Sequence, residues 1–239
     1  MKRFLLLIVC MFLLTGCCQT IDMEIPEVEK VPPVDIKIEK ETLPVPELTI
    51  PTEPVIEETI PESEPLDSDL VEIQSYIPNV VIDLKYATTD NFTGVIIYDD
   101  DVACLRYGTI KKLIKVQREL NDLGYTLVIW DAYRPKEAQF KLWDVCPDGR
   151  YVANPHKGFS SHSRGNTIDI TIQTLNGEYV EMPTGFDDFS VLADRNYSDV
   201  SKTAKNNSLL LENIMKKYGF KPYSAEWWHY SDSISYNVV

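Results

Sequence analysis

Residues 21–70 constrain this chain more than any other stretch. They hold nine of the fifteen prolines and contain no Gly, Trp, Tyr or Phe. Fifteen acidic residues stand there against three lysines, so most of the net charge of −14 sits in this tract. A segment without aromatics, rich in proline and strongly self-repelling cannot bury enough apolar surface to offset the entropy of ordering. It is expected to be a disordered spacer of extended, polyproline-like character. Fifty such residues reach roughly 40 Å as a flexible coil and about 155 Å fully extended. Folding is left to residues 71–239, which suits one ordinary domain. A chain that is 44% hydrophobic has the material for a core. The acidic balance argues against a nucleic-acid binder, whose footprint is a basic surface. No obligate protein partner is evident, and the folded part shows no internal repeat.

The N-terminus reads as an address. Met1-Lys2-Arg3 is basic, and Phe4 to Leu14 is apolar, broken only by Cys10. At about eleven residues this run is short of the roughly 20 that span a bilayer, and it has the length of a signal-peptide core. Leu14-Thr15-Gly16-Cys17 resembles the bacterial lipoprotein box. That resemblance implies a signal peptide over 1–16 and lipidation of Cys17. It also implies that 17–70 is a lipidated tether holding an extracytoplasmic protein on the membrane. An ordinary secretory signal cut nearby is the other reading. Outside the cytoplasm thiols tend to be oxidised. Cys104 and Cys146 then either form a disulfide or serve as small buried residues, and the sequence leaves both readings open.

Within 71–239 the apolar pattern predicts a mixed set of elements. Asn79–Tyr86 alternates and reads as a strand, and Thr126–Trp130 reads as a short buried one. Ile110, Leu113, Ile114, Val116 and Leu120 fall near one face of a helix over Thr109–Leu123, which Gly124 would stop. Pro135 suits the start of a helix running to about Val145. Thr167–Gln173 alternates with Ile168, Ile170 and Ile172 on one face and Asp169 and Thr171 on the other. A helix is expected over Lys202–Tyr218 and a last strand over Trp227–Ser231. This order predicts an α+β domain with a small, mainly antiparallel sheet flanked by helices.

The chain has three histidines. Two of them sit in chemically dense stretches: Ser160-Ser161-His162-Ser163-Arg164-Gly165-Asn166-Thr167-Ile168-Asp169, and Glu226-Trp227-Trp228-His229-Tyr230. A catalytic zinc site takes three N/O ligands with a position left open for water, and a carboxylate near that water to act as base. His162, Asp169 and His229 supply ligands, and Glu226 supplies the base. An aspartate in the middle of an Ile-rich strand needs a partner, and a metal would serve. Taken singly, each residue has a plainer reading: a structural His, a solvated Asp, an aromatic core segment carrying a surface Glu. His156 has no such company and reads as a surface residue.

The spacing S-x-H-x-x-G-x-x-x-D with a distant E-x-W-H resembles the zinc D,D-peptidase superfamily. Further blocks resemble its D-alanyl-D-alanine dipeptidases of the VanX type: Lys85-Tyr86-Ala87-Thr88 with Asn91-Phe92-Thr93-Gly94, and Asp131-Ala132-Tyr133-Arg134-Pro135. The resemblance covers about 79–232 in five separated blocks, with Ala132 for Gly and Asn166-Thr167 in place of smaller residues. It implies a hedgehog/D,D-peptidase-like fold and one Zn²⁺ per chain, held by His162, Asp169 and His229. Glu226 would be the catalytic base and Arg134 the oxyanion stabiliser. Tyr86 and Asp187 would hold the ammonium group of a small dipeptide, with Ser160 and Ser161 near the substrate, either binding its carboxylate or serving only as loop structure and caps. The implied reaction is hydrolysis of D-Ala-D-Ala to two D-alanines, in cell-wall turnover or scavenging. Two competing readings are a D,D-carboxypeptidase or other peptidoglycan peptidase, and a non-catalytic cell-wall-binding lipoprotein.

Overall fold

The structure is a computed structural model, and it describes residues 64–239. The expected signal peptide over 1–16, Cys17 and most of the acidic tract lie outside the described residues. Ten regular elements follow one another. They are β1 (Leu70–Glu72), β2 (Val81–Ile82), β3 (Cys104–Arg106), α1 (Tyr107–Asp122), β4 (Tyr125–Asp131), α2 (Lys136–Val145), β5 (Thr167–Thr174), α3 (Lys202–Lys217), β6 (Phe220–Pro222) and β7 (His229–Asp232). Five strands form a sheet in the order β2-β4-β5-β7-β6, in which only β2 and β4 run parallel. Strands β1 and β3 form a separate antiparallel ribbon. The expected α+β architecture with a mainly antiparallel sheet is what the chain adopts.

Apolar periodicity accounts for the core. Ile110, Leu113, Val116 and Leu120 are fully buried along α1, while Ile114 packs at its margin. Ile168, Ile170 and Ile172 of β5 are fully buried, as are Leu127, Val128 and Ile129 of β4. The polar face of β5 is buried too: Thr167, Asp169 and Thr171 are at most 3% exposed. That face therefore meets other protein groups rather than water, which sets the stage for the site.

Three boundaries differ from expectation. The ordered fold starts before residue 71: Tyr107 donates to Glu64 at 2.6 Å, and Lys111 pairs with Asp67 at 2.5 Å. The last acids of the tract find cationic and hydroxyl partners on α1, so they join the domain. The predicted strand over Asn79–Tyr86 pairs only at Val81–Ile82 and then coils into a 3-10 turn at Lys85–Ala87. Tyr86 is thereby turned inward and buried. The last strand begins at His229, because Trp227 and Trp228 form a turn whose indoles fill the core. Cys104 and Cys146 are both free thiols, half-buried, and do not form the disulfide held open above.

One turn connects fold to site. Ser160 caps a 3-10 turn over Ser161–Arg164 by accepting from the His162 amide. Gly165 closes it at φ 73°, and its carbonyl accepts from Arg106 N at 2.7 Å. A Cβ at Gly165 would lie 2.9 Å from Leu70 Cδ1. Gly165→Ala is therefore expected to cost about 1–2 kcal/mol for the left-handed backbone alone. The Leu70 contact adds to that. An unchanged denaturation midpoint would contradict this.

Candidate metal centre

Adjacent strands bring the ligands together. Asp169 on β5 and His229 on β7 are cross-strand partners, so both side chains project from the same face of the sheet. The turn before β5 delivers His162 to them. His162 Nε2 lies 3.3 Å from His229 Nδ1 and 3.4 Å from Asp169 Oδ2, and His229 Nδ1 lies 3.0 Å from Asp169 Oδ1. The donor atoms all fall within 4.8 Å of one another. Asp169 Oδ1 is buried and makes no hydrogen bond among the described residues despite that short approach. Two imidazole nitrogens and an unsatisfied carboxylate oxygen facing one point suit a divalent cation with N/O preference.

The surroundings orient these ligands. His162 Nδ1 lies 2.8 Å from the Ala132 carbonyl, which places the ring proton there and leaves the Nε2 lone pair for the cluster. Burial opposes charging of His162, but the Asp169 and Asp131 carboxylates outweigh it and raise its pKa. Burial likewise opposes the charge on Asp169, yet the two facing imidazoles hold its carboxyl well below the usual range.

Glu226 reaches the same place from the turn before β7. Its Oε2 lies 3.5 Å from His229 Nδ1. Burial, reinforced by the Asp169 charge, pushes its carboxyl up to about 7. Arg134 lies just past the end of β4, buried, with Nη2 bound to Asp131 Oδ2 at 2.6 Å. Its Nε has no partner among the described residues, so one donor of the guanidinium is uncommitted. The guanidinium also lies 5.1 Å from the Tyr86 ring centre. Tyr86 donates to Asp187 Oδ2 at 2.6 Å. Asp187 adopts φ 52°, a left-handed backbone that an aspartate tolerates only when its surroundings fix it. Burial pushes its carboxyl up to about 7, against the lowering effect of the Tyr86 hydroxyl.

All nine predicted site residues of the folded part line one cavity of about 550 Å³: Tyr86, Arg134, Ser160, Ser161, His162, Asp169, Asp187, Glu226 and His229. Ser160 is already committed as the cap of the His162 turn. His156 is exposed, with its ring edge-on to Phe140, and takes no part.

Two organising residues went unassigned in the sequence. Asp131, fully buried, accepts from Arg134, the Ala132 amide and the Tyr98 hydroxyl, and lies 3.4 Å from His162 Nδ1. Its position at a buried strand end, three residues before Arg134, was the available signal. Arg195 donates to the carbonyls of Tyr223, Trp227 and His229, to the Tyr230 hydroxyl and to Glu212. It ties both ends of the Glu226–His229 turn to one side chain. Nothing local in the sequence marks it.

The donor set, the nearby carboxylate and the buried arginine define a metallohydrolase-type centre. The family comparison agrees: the chain matches the Peptidase M15 model, described as D-ala-D-ala dipeptidase, over residues 67–236, and it belongs to that family. The D-alanyl-D-alanine dipeptidase of Escherichia coli K12 is 40% identical over 163 residues, 68% of this chain and 84% of that one. Its Streptomyces coelicolor counterpart is 34% identical over 187 residues, 70% and 92% of the two chains. The Enterococcus faecium one is 35% identical over 168 residues, 62% and 83%. The solved LdcB LD-carboxypeptidase overlaps at a TM-score of 0.41 and 21% identity, covering 72% of this chain and 70% of that one. An overlap of that size does not separate one activity from another.

Because Asp131 holds both His162 and Arg134, Asp131→Asn is expected to weaken zinc binding about 10-fold or more. Competition with a chromophoric chelator measures this, and wild-type affinity in the variant would contradict it.

Proposed function

We propose that the chain is a zinc-dependent dipeptidase that hydrolyses D-Ala-D-Ala to two D-alanines. The observation that carries this reading is the half-buried Asp187, bound by the buried Tyr86 hydroxyl, in the same cavity as the His162–Asp169–His229 cluster. Asp187 makes no ion pair among the described residues, and a carboxylate partly withdrawn from water without one is costly. A free substrate ammonium would compensate it. A long peptidoglycan stem has no amine at that position, so a carboxypeptidase would gain nothing from such a group.

A zinc ion bound by the three ligands supplies Lewis acidity and lowers the pKa of its water to about 7. Glu226 takes the proton of the attacking water and returns it to the departing amine. Arg134, held by Asp131 and lining the cavity, presents its guanidinium to the oxygen on which negative charge develops. A fixed cation in a buried site favours that charged arrangement over the neutral ground state. Asp187 and Tyr86 hold the ammonium group, which places the scissile amide next to the base.

The test is D-alanine release by the full chain, with chelation and zinc restoration. D-Ala-D-Ala, its N-acylated form and a pentapeptide stem are offered in parallel. Cleavage confined to the free dipeptide is expected, and cleavage of the stem would give the carboxypeptidase reading instead. Glu226→Gln should keep zinc and lose at least about 100-fold in turnover. Asp187→Ala should raise KM for the dipeptide. Zinc binding with neither product would leave a scaffold.

The proposal extends to location. A chain lipidated at Cys17 acts outside the cytoplasm, out of reach of the dipeptide pool that feeds wall precursors. Its work would then be wall turnover or scavenging rather than glycopeptide resistance. Acyl chains contribute about 0.8 kcal/mol per buried CH₂, so two or more hold the protein on the membrane. Palmitate labelling of the wild type, absent from Cys17→Ala, is the expected outcome. A soluble cytosolic form of the wild type would contradict it.

A further inference from the structure

A dipeptide has two charged ends, and the charged side chains discussed so far account for one. We infer that Lys221 is the specificity-determining residue for the other, binding the substrate's C-terminal carboxylate. This rests on the dipeptidase reading above.

Strand register supplies the placement. Asp169 pairs with His229, Thr167 pairs with Ser231, and Lys221 pairs with Ser231. Directly opposed residues project from the same face of a sheet, as do residues two apart on one strand. The Thr167 and Ser231 hydroxyls confirm this by lying 2.9 Å apart. Lys221 therefore stands on the metal-bearing face, one strand over from His229 and about 7 Å further along. It lines the same cavity as the cluster. Strand β6 is the edge of the sheet beyond β7, whereas Tyr86 follows β2 at the opposite edge. The amine-binding pair and Lys221 thus approach the metal ligands from opposite edges.

Charge supplies the selection. Three cations line the cavity: Arg134, Arg150 and Lys221. Arg134 is committed to Asp131 at 2.6 Å. Arg150 is chelated by Asp148, with Nη2 at 2.5 Å and Nε at 3.0 Å from both oxygens. Lys221 makes no ion pair among the described residues. Its ammonium is exposed and offers three donors on a flexible stem. It is the one cavity cation not already neutralised by a protein carboxylate. Ser160, whose Oγ accepts from the His162 amide but keeps its O–H donor, and Ser161 are the neutral competitors for the carboxylate.

The test separates the charge from the rest of the substrate. D-Ala-D-Ala and its C-terminal amide are compared in the zinc-loaded full chain, with wild type, Lys221→Met, Ser160→Ala, Ser161→Ala and Arg150→Met. KM and kcat are read for turnover, and Kd by calorimetry in the Glu226→Gln background. Lys221→Met is expected to raise KM and Kd for the acid about tenfold or more, the range of a charge-assisted hydrogen bond. It should leave kcat within about threefold and the amide's Kd unchanged, because the charge the lysine reads is missing from that ligand. Lys221→Arg should restore part of the loss. Equal losses for acid and amide, no loss for either, or a carboxylate-specific loss in Ser160→Ala, Ser161→Ala or Arg150→Met instead would overturn the assignment. If wild type neither binds nor cleaves the dipeptide, the dipeptidase reading fails first and the Lys221 assignment falls with it.

Discussion

A carboxylate buried in the middle of a sheet, facing two imidazoles, is the constraint on which the rest depends. Asp169 is 3% exposed on β5, and its Oδ1 finds no hydrogen bond among the described residues. Burying such a group is tolerable only with compensating charge. Its neighbours are arranged to provide it. Gly165 closes the turn that swings His162 over the strand. Arg195 gathers the carbonyls of Tyr223, Trp227 and His229, so the chain carrying Glu226 and His229 is held at both ends. The two tryptophans between them are fully buried in the core.

Much of this was legible in the sequence, because periodicity and motif spacing are local signals. The alternation of Thr167–Gln173 located β5 to within a residue and showed Asp169 opposite three isoleucines. The helix over Thr109–Leu123 follows from its apolar stripe, which the core then occupies. What local pattern could not show was what depends on distant partners. Tyr86 leaves its strand in a 3-10 turn, and Asp187, 101 positions away, takes its hydroxyl. Asp131 acquires its role from Tyr98 and His162, and Arg195 from a turn some thirty residues downstream. Strands β1, β3 and β6 are three residues each, too short for alternation to register. Glu64 and Asp67 belong compositionally to the acidic tract, yet α1 recruits them.

Charge divides the molecule into regions with different work. Most of the net negative charge lies in 21–70 and therefore says little about the substrate. Inside the cavity the balance is local. Acids gather at the His162–Asp169–His229 cluster and at the Tyr86 end, an arginine stands over the Tyr86 ring, and a lysine without an ion pair among the described residues stands at the β6 edge. Such an arrangement suits a short zwitterion, with an acid toward one end and a cation toward the other.

The most direct test of the account is the coordination of zinc in the purified full chain, by metal quantitation and X-ray absorption. One zinc per chain with two imidazole nitrogens and carboxylate oxygen, lost in Asp169→Ala, is the predicted result. Zinc held through thiolate sulfur, or retained unchanged in Asp169→Ala, would contradict the claim that this buried carboxylate organises the site.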